Sequence, residues 1–275
     1  MDAVSPVAAL AVFAVGILCG SIGAMLGIGG AVFLVPFLVL VMGLSFHQAA
    51  AISLAAVIAT STAVSAATAG RHLINLRLGM VLEVATAAGG LTGGLTALAL
   101  SPATLQKLFA VVACVVAGIV IRGSEDSQLP HDADPGTLGG RFTDERRRET
   151  FTYRVRRLPV ALAASFVAGN LSTLLGIGGG IVKVPVLVTT CGVPMRVAAA
   201  TSAFMIGVTA TSGAMIYYGH GDMIPSLAAA AVLGTQAGST LGMRAAARAR
   251  AIWLRRLLAI VLCVVAALML LRAKA

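Results

Sequence analysis

The chain has 275 residues, of which 59% are hydrophobic and 11% charged, and its mean hydropathy is +0.98. That is too much apolar and too little charged surface for a water-soluble domain, so the composition implies an integral membrane protein. The formal charge of +10 does not point to nucleic acid, because the arginines fall between apolar spans, where basic loops set membrane orientation.

The first apolar stretch, 6–26, lacks the basic leader of a cleaved signal, and a similar stretch heads the second half, so it reads as a retained membrane helix. It runs into Leu26-Gly27-Ile28-Gly29-Gly30, after which a short apolar element over 31–42 contains Pro36. Apolar helices over 47–69, 79–98 and 103–121 complete the first half, separated by Gly-rich, polar or Pro-containing breaks. A charged linker, 122–157, follows with eight arginines and seven acids. It reads as a cytoplasmic connector, partly disordered or carrying a short amphipathic helix near 143–157. The second half then repeats the pattern with helices over 158–175, 181–191, 197–218, 224–243 and 252–271. Its own glycine run is Leu175-Gly176-Ile177-Gly178-Gly179-Gly180, followed by Pro185.

Setting Gly27 against Gly176 gives an offset of 176 − 27 = 149. The same offset superposes Gly20 on Gly169, Pro36 on Pro185, Gly43 on Gly192, Ser53 on Ser202, Thr60 on Thr209 and Cys114 on Cys263. One offset that matches glycine, proline, hydroxyl and cysteine positions marks an internal duplication. The domain organisation is therefore a membrane repeat over 1–121, the linker over 122–157, and a second repeat over 158–275.

The second element of each repeat is roughly a dozen residues, about 18 Å of helix against a hydrocarbon core of about 30 Å, and reads as a half-helix. Three arginine-bearing loops, at 71–77, 122–157 and 244–256, fall on one side only if each repeat enters the membrane five times. That places the linker in the cytoplasm and both termini in the periplasm. An odd count also inverts the repeats relative to one another, as in many secondary transporters. The expected fold class is an all-α integral membrane protein of two inverted repeats, each with a glycine-broken hairpin plus about three further helices.

A glycine break at membrane depth is tolerated only where protein or a water-filled cavity covers it, which makes each break a binding-site candidate. Half-helix N-termini beginning at Gly30 and Gly180 would offer free N–H groups and positive dipole ends to an anion. The candidate pocket therefore comprises Gly27, Gly29, Gly30, Gly176, Gly178, Gly179 and Gly180. Close helix packing is the competing reading, and it is the better one for Gly90/Gly94 and Gly234/Gly238/Gly242, spaced by four.

Ser53 and Ser202, matched across the repeat, are candidate hydroxyl donors, and Asn170, just before the second run, is a candidate amide donor. Thr60, Thr62, Thr209 and Thr211 more simply return to the carbonyl of the previous turn. Lys183 either supplies positive charge to the pocket or snorkels to the cytoplasmic surface. Glu83 either couples protons to transport or sits at the interface paired with Arg77. The four cysteines lie in apolar runs without metal-ligand spacing, so no metal or cofactor is expected. No hydrolytic or paired-carboxylate motif appears, so an enzyme is not expected.

The glycine runs with their following prolines, the blocks Ala-Ala-Ala-Ile-Ser53 and Ala-Ala-Ala-Thr-Ser202, and the duplicated apolar halves resemble the sulfite exporter TauE/SafE family. The resemblance covers nearly the whole chain except 122–157. It implies a bacterial inner-membrane secondary transporter exporting small sulfur-containing or organic anions such as sulfite, sulfoacetate or other sulfonates. The partners it implies are a small anion and the lipid bilayer, with no nucleic acid; a homo-oligomer and a channel-like pathway stay open.

Overall fold

The computed structural model describes residues 5–26, 29–68, 73–122, 134–144, 149–246 and 251–272. The first half holds α1 (Pro6–Leu26), α2 (Ala31–Leu40), α3 (Phe46–Thr68), α4 (Leu76–Ala99) and α5 (Pro102–Arg122). The second holds α6 (Leu158–Leu175), α7 (Gly180–Thr189), α8 (Met195–Gly219), α9 (Pro225–Ala246) and α10 (Ala251–Arg272). Each of the ten apolar helices expected from the sequence is present. Among the described residues five helices, α1, α3, α4, α6 and α8, are long and apolar enough to cross a membrane. Large apolar side chains such as Leu18, Val84, Leu95, Val115 and Leu233 cover the outer surface. The chain is a multi-pass membrane protein whose outer face is made for lipid.

The short elements α2 and α7 have 10 residues each and carry Pro36 and Pro185 inside the helix. Each proline removes an amide from the ladder, and about 15 Å of helix reaches roughly half-way across the hydrocarbon core. Both end alike. Gly43 and Gly192 adopt left-handed φ values of 71° and 73°, and the next amides, of Leu44 and Val193, return to the carbonyls of Leu38 and Leu187 at 3.1 and 3.0 Å. These bonds are 149 residues apart, so the duplication extends to backbone detail.

Helix packing follows the same offset. It exchanges α1 with α6 and α4 with α9, and α1 packs on α9 as α6 packs on α4. Likewise α3 packs on α9 as α8 packs on α4, while α3 meets α8 and α5 meets α10. The repeats thus interlock, and each closest pair draws one helix from each half.

Glycine decides how close these pairs come. A Cβ at Gly234, Gly238 or Gly242 would overlap the backbone of Phe13, Ile17 or Ser21, and one at Gly89 or Gly93 would overlap that of Phe166 or Asn170. Both registers rise together, so α1 runs parallel to α9, and α4 to α6. This is the small-residue packing expected for Gly234, Gly238 and Gly242, whereas on α4 the backbone contacts fall to Gly89 and Gly93, and Gly90 and Gly94 face side chains of α6 and α8. In contrast, Ser61 lies against Gly207 while Leu54 lies against Gly213, so α3 and α8 cross antiparallel.

The linker departs from expectation. In place of an amphipathic helix near 143–157 stand β1 (Gly140–Asp144) and β2 (Glu149–Tyr153), paired antiparallel with Phe142 opposite Phe151. Phe142 stands opposite Phe151, and Tyr153 follows Phe151 at a period of two, which puts the three aromatics on one face. That face docks among Leu78, Leu82, Val184, Leu187, Val193 and Met205. Among the described residues this hairpin is what separates the fold from an all-α one.

Asn75 anchors the hairpin. Its side-chain oxygen caps α4 by accepting from the Leu78 amide at 3.0 Å, and its amide donates to the Leu138 carbonyl at 2.8 Å and the Tyr153 hydroxyl at 2.9 Å. Burial pushes the Tyr153 phenol above the ordinary tyrosine range, and the bond from Asn75 opposes that rise. Docking therefore favours the neutral phenol. Its contribution is full below about pH 10 and is lost as pH rises through the higher value of the docked state. Limited proteolysis across a pH series should show the hairpin protected at neutral pH and cleaved above about pH 10. Tyr153→Phe, at a cost of about 1 kcal/mol for the lost hydrogen bond, should abolish the alkaline step.

Candidate functional site

The first break folds α2 back against α1. Gly29 and Gly30 have φ of 84° and 54°, a left-handed conformation that a residue with a Cβ adopts only under strain. A Cβ on Gly30 would also stand 2.6 Å from the Cys19 carbonyl oxygen. Gly27 and Ile28 lie outside the described residues. In the second break Gly176 (φ 70°) caps α6 and Gly178 (φ 75°) makes the turn, Gly179 caps α7, and Gly180 is the first residue of α7. A Cβ on Gly176 would come within 2.7 Å of Ala50 Cα on α3, and one on Gly179 within 2.7 Å of the Ala168 carbonyl. Residues 29–30 and 176–180 are all buried. Neither half-helix has a side-chain cap.

One hydroxyl joins the two breaks. Ser53, fully buried on α3, donates to the Gly176 carbonyl at 2.9 Å, with the Ala31 carbonyl of α2 at 3.5 Å. Gly29 meanwhile faces Val57 of α3 and Ile206 of α8 at about 4 Å. Helix α3 therefore carries the end of α6 and the start of α2 side by side. Its repeat partner Ser202 is equally buried, but its hydroxyl has no partner.

The charged candidates lie on the second half's side. Lys183 is 1% exposed, which removes the snorkelling reading, and its Nζ has no hydrogen-bond partner. It and Glu83 attract one another electrostatically. Glu83 Oε1 accepts from the Thr209 hydroxyl at 2.8 Å, while Oε2 is buried without a partner. Arg77 is exposed on α4, so the interfacial Glu83–Arg77 pair gives way to an inward carboxylate facing α7 and α8. Asn170 is placed elsewhere, its amide donating to Thr92 across the α4–α6 contact at 3.2 Å.

With this geometry in view, the comparisons are informative. The family described as sulfite exporter TauE/SafE matches residues 12–269. The chain belongs to the sulfite exporter TauE/SafE family. A relative from Bacillus subtilis (strain 168), named "Probable membrane transporter protein YunE", is 24% identical over 234 residues, covering 82% of this chain and 84% of its own. No solved structure matches the chain.

Three further hydroxyls of this TauE/SafE protein escape sequence reasoning. Ser172 and Thr173, at the end of α6, are fully buried with unpartnered hydroxyls, and Thr209 faces Glu83 instead of only its own helix. The offset places Gly23 and Ala24 opposite Ser172 and Thr173, so the repeat carried no signal for them. Thr60, Thr62 and Thr211 do return to backbone carbonyls within their own helices, at 3.2, 2.8 and 2.9 Å. A narrow cleft runs beside the first break, between Gly23 and Gly29, Thr60 and Ser61 of α3, and Ala203 and Ile206 of α8. Its volume of about 10 Å³ suits about one water molecule.

The two matched serines make a contrasting test. Ser53→Ala strands the Gly176 carbonyl in a dry interior and should cost about 1–3 kcal/mol, lowering the melting temperature in detergent by several degrees. Ser202→Ala removes a hydroxyl that bonds nothing and should leave the melting temperature unchanged or raised.

Proposed function

We propose that this chain is a secondary transporter of the bacterial inner membrane that exports small sulfur-containing or organic anions, such as sulfite, sulfoacetate or other sulfonates, by alternating access. The observation that carries this reading is the meeting of both glycine breaks at Ser53, with Gly176 bonded and Ala31 adjacent. Two uncapped half-helix starts in one interior region offer free N–H groups and positive dipole ends, which suit an anion. The binding surface is the backbone of Gly27, Gly29 and Gly30 with Gly176 and Gly178–Gly180, joined by Ser53, Ser202 and Lys183. Asn170 contributes through the α4–α6 contact that holds the helix before the second break.

The antiparallel crossing of α3 and α8, which are repeat counterparts, supports an inverted relationship between the halves. The parallel pairs α1/α9 and α4/α6 are compatible with that arrangement. Inversion of this kind, with the linker and its arginines cytoplasmic and both termini periplasmic, gives a site that two related halves expose in turn. A cleft with room for about one water suits a nearly closed intermediate of such a cycle.

Flux of sulfite and of a sulfonate into proteoliposomes tests the reading. Gly29→Val and Gly178→Val force a β-branched residue into left-handed backbone and should reduce saturable flux at least tenfold while the protein still inserts. Undiminished flux in both variants would remove the breaks from the site.

A further inference from the structure

A buried polar seam lies where α4, α6, α7 and α8 meet. On it Lys183 Nζ, Glu83 Oε2 and Thr173 Oγ1 all lack hydrogen-bond partners, and Lys183 and Thr173 are each at most 1% exposed. Thr209 ties the seam to Glu83 Oε1 at 2.8 Å. Thr173 Oγ1 and Ser212 Oγ flank Gly90 of α4, each just over 3 Å from the place a Cβ would take. Lysine donates three hydrogen bonds and carboxylate oxygens accept several, so a buried pair with this much unmet capacity is unstable as an end state. It is organised for something else to complete it.

The seam joins α4 of the first half to α6, α7 and α8 of the second, and the counterpart contact does not repeat its charges. Applying the offset, 183 − 149 = 34 and 83 + 149 = 232, so Leu34 stands at the position of Lys183 and Val232 at that of Glu83. Leu34 is fully buried in the apolar core. The duplicated frame thus carries a single, one-sided pair of charges.

We infer that Lys183 and Glu83 form a joint site for one small monoanion and one proton. The inference rests on the transport reading above and deepens it. Empty, the pair is neutral as ammonium and carboxylate. A monoanion bound at Lys183 would leave one net negative charge in a dry interior, where an uncompensated charge is costly. A proton taken from water onto Glu83 Oε2 restores neutrality, keeps the bond from Thr209 to Oε1, and turns Oε2 into a donor toward the anion. No other bond forms or breaks. Of the elements packed against α4, α7 presents Lys183, α8 presents Thr209 and Ser212, α6 presents Thr173, and the hairpin's Tyr153 sits two turns away at Asn75. Among the described residues Lys183 is the charged group that acts on Glu83. Anion and proton therefore bind together, and each strengthens the other's binding equally.

The test uses the purified full-length protein in detergent and methanesulfonate, which stays ionised throughout, so that any proton taken up belongs to the protein. Calorimetry in buffers of different ionisation enthalpy should record about one proton taken up per anion bound, and above neutral pH the affinity should fall about tenfold per pH unit. In Glu83→Gln, Lys183 loses its carboxylate, rests neutral and takes up the proton itself when methanesulfonate binds, so the variant that should show neither proton uptake nor binding is Glu83→Gln/Lys183→Gln. Lys183→Gln should bind at least tenfold more weakly. The double variant Glu83→Gln/Lys183→Gln keeps the seam neutral and should retain the wild-type melting temperature, which separates lost binding from lost folding. Wild-type binding without proton uptake, binding or uptake that persists in the double variant, or full affinity in Lys183→Gln would overturn the inference while leaving the transport reading standing. Failure of the wild type to bind methanesulfonate, sulfite or acetate would overturn the transport reading itself and this inference with it.

Discussion

The bond from Ser53 to the Gly176 carbonyl expresses the constraint on which the fold depends: inside a bilayer no water is available to a broken helix. Where α6 stops and α7 starts, backbone groups lose their helical partners at a depth where exposure to lipid would be prohibitive. The chain meets this by burying both breaks against α3 and α8, with Ala50 set hard against Gly176 and Ser53 supplying a donor. The same burial holds two helix starts in one interior region. Uncapped N–H groups at a helix start are a liability in lipid, and burial of both breaks against protein removes it.

Packing between the halves follows from a second constraint. Helices in lipid gain little from burying apolar side chains, so close contact relies on small residues that let backbones touch. Gly234, Gly238 and Gly242 do this against α1, and Gly89 and Gly93 against α6. The tightest pairs are therefore formed between repeats. A sequence boundary at the linker separates two copies of a pattern, but it does not separate two bodies in space.

On this symmetric frame the chemistry is lopsided. Lys183 of the second repeat meets Glu83 of the first, whereas the counterpart positions hold Leu34 and Val232, and the linker hairpin covers only the apolar cluster that includes Leu82 and Val184, the neighbours of that pair. The buried charge thus sits on one side of a duplicated frame.

By itself the sequence determined the membrane class, the ten helices, the duplication and the two breaks, because hydropathy, glycine and proline act locally and repeat at a constant offset. It also marked Ser53, Lys183 and Glu83 as unusual, since polar groups are rare in such helices. What each of those groups faces was decided only by tertiary structure. Lys183 had two readings until packing buried it, Glu83 turned from Arg77 to Thr209, and Asn170 proved to face Thr92. Ser172 and Thr173 carried no repeat signal at all, and the hairpin was hidden by a charged stretch whose period of two spans only a few residues at Phe142 and Phe151. Local pattern records which residues prefer helix and lipid; the pairing of distant polar groups depends on how helices far apart in the chain come into register, and that is set by shape once the chain has packed.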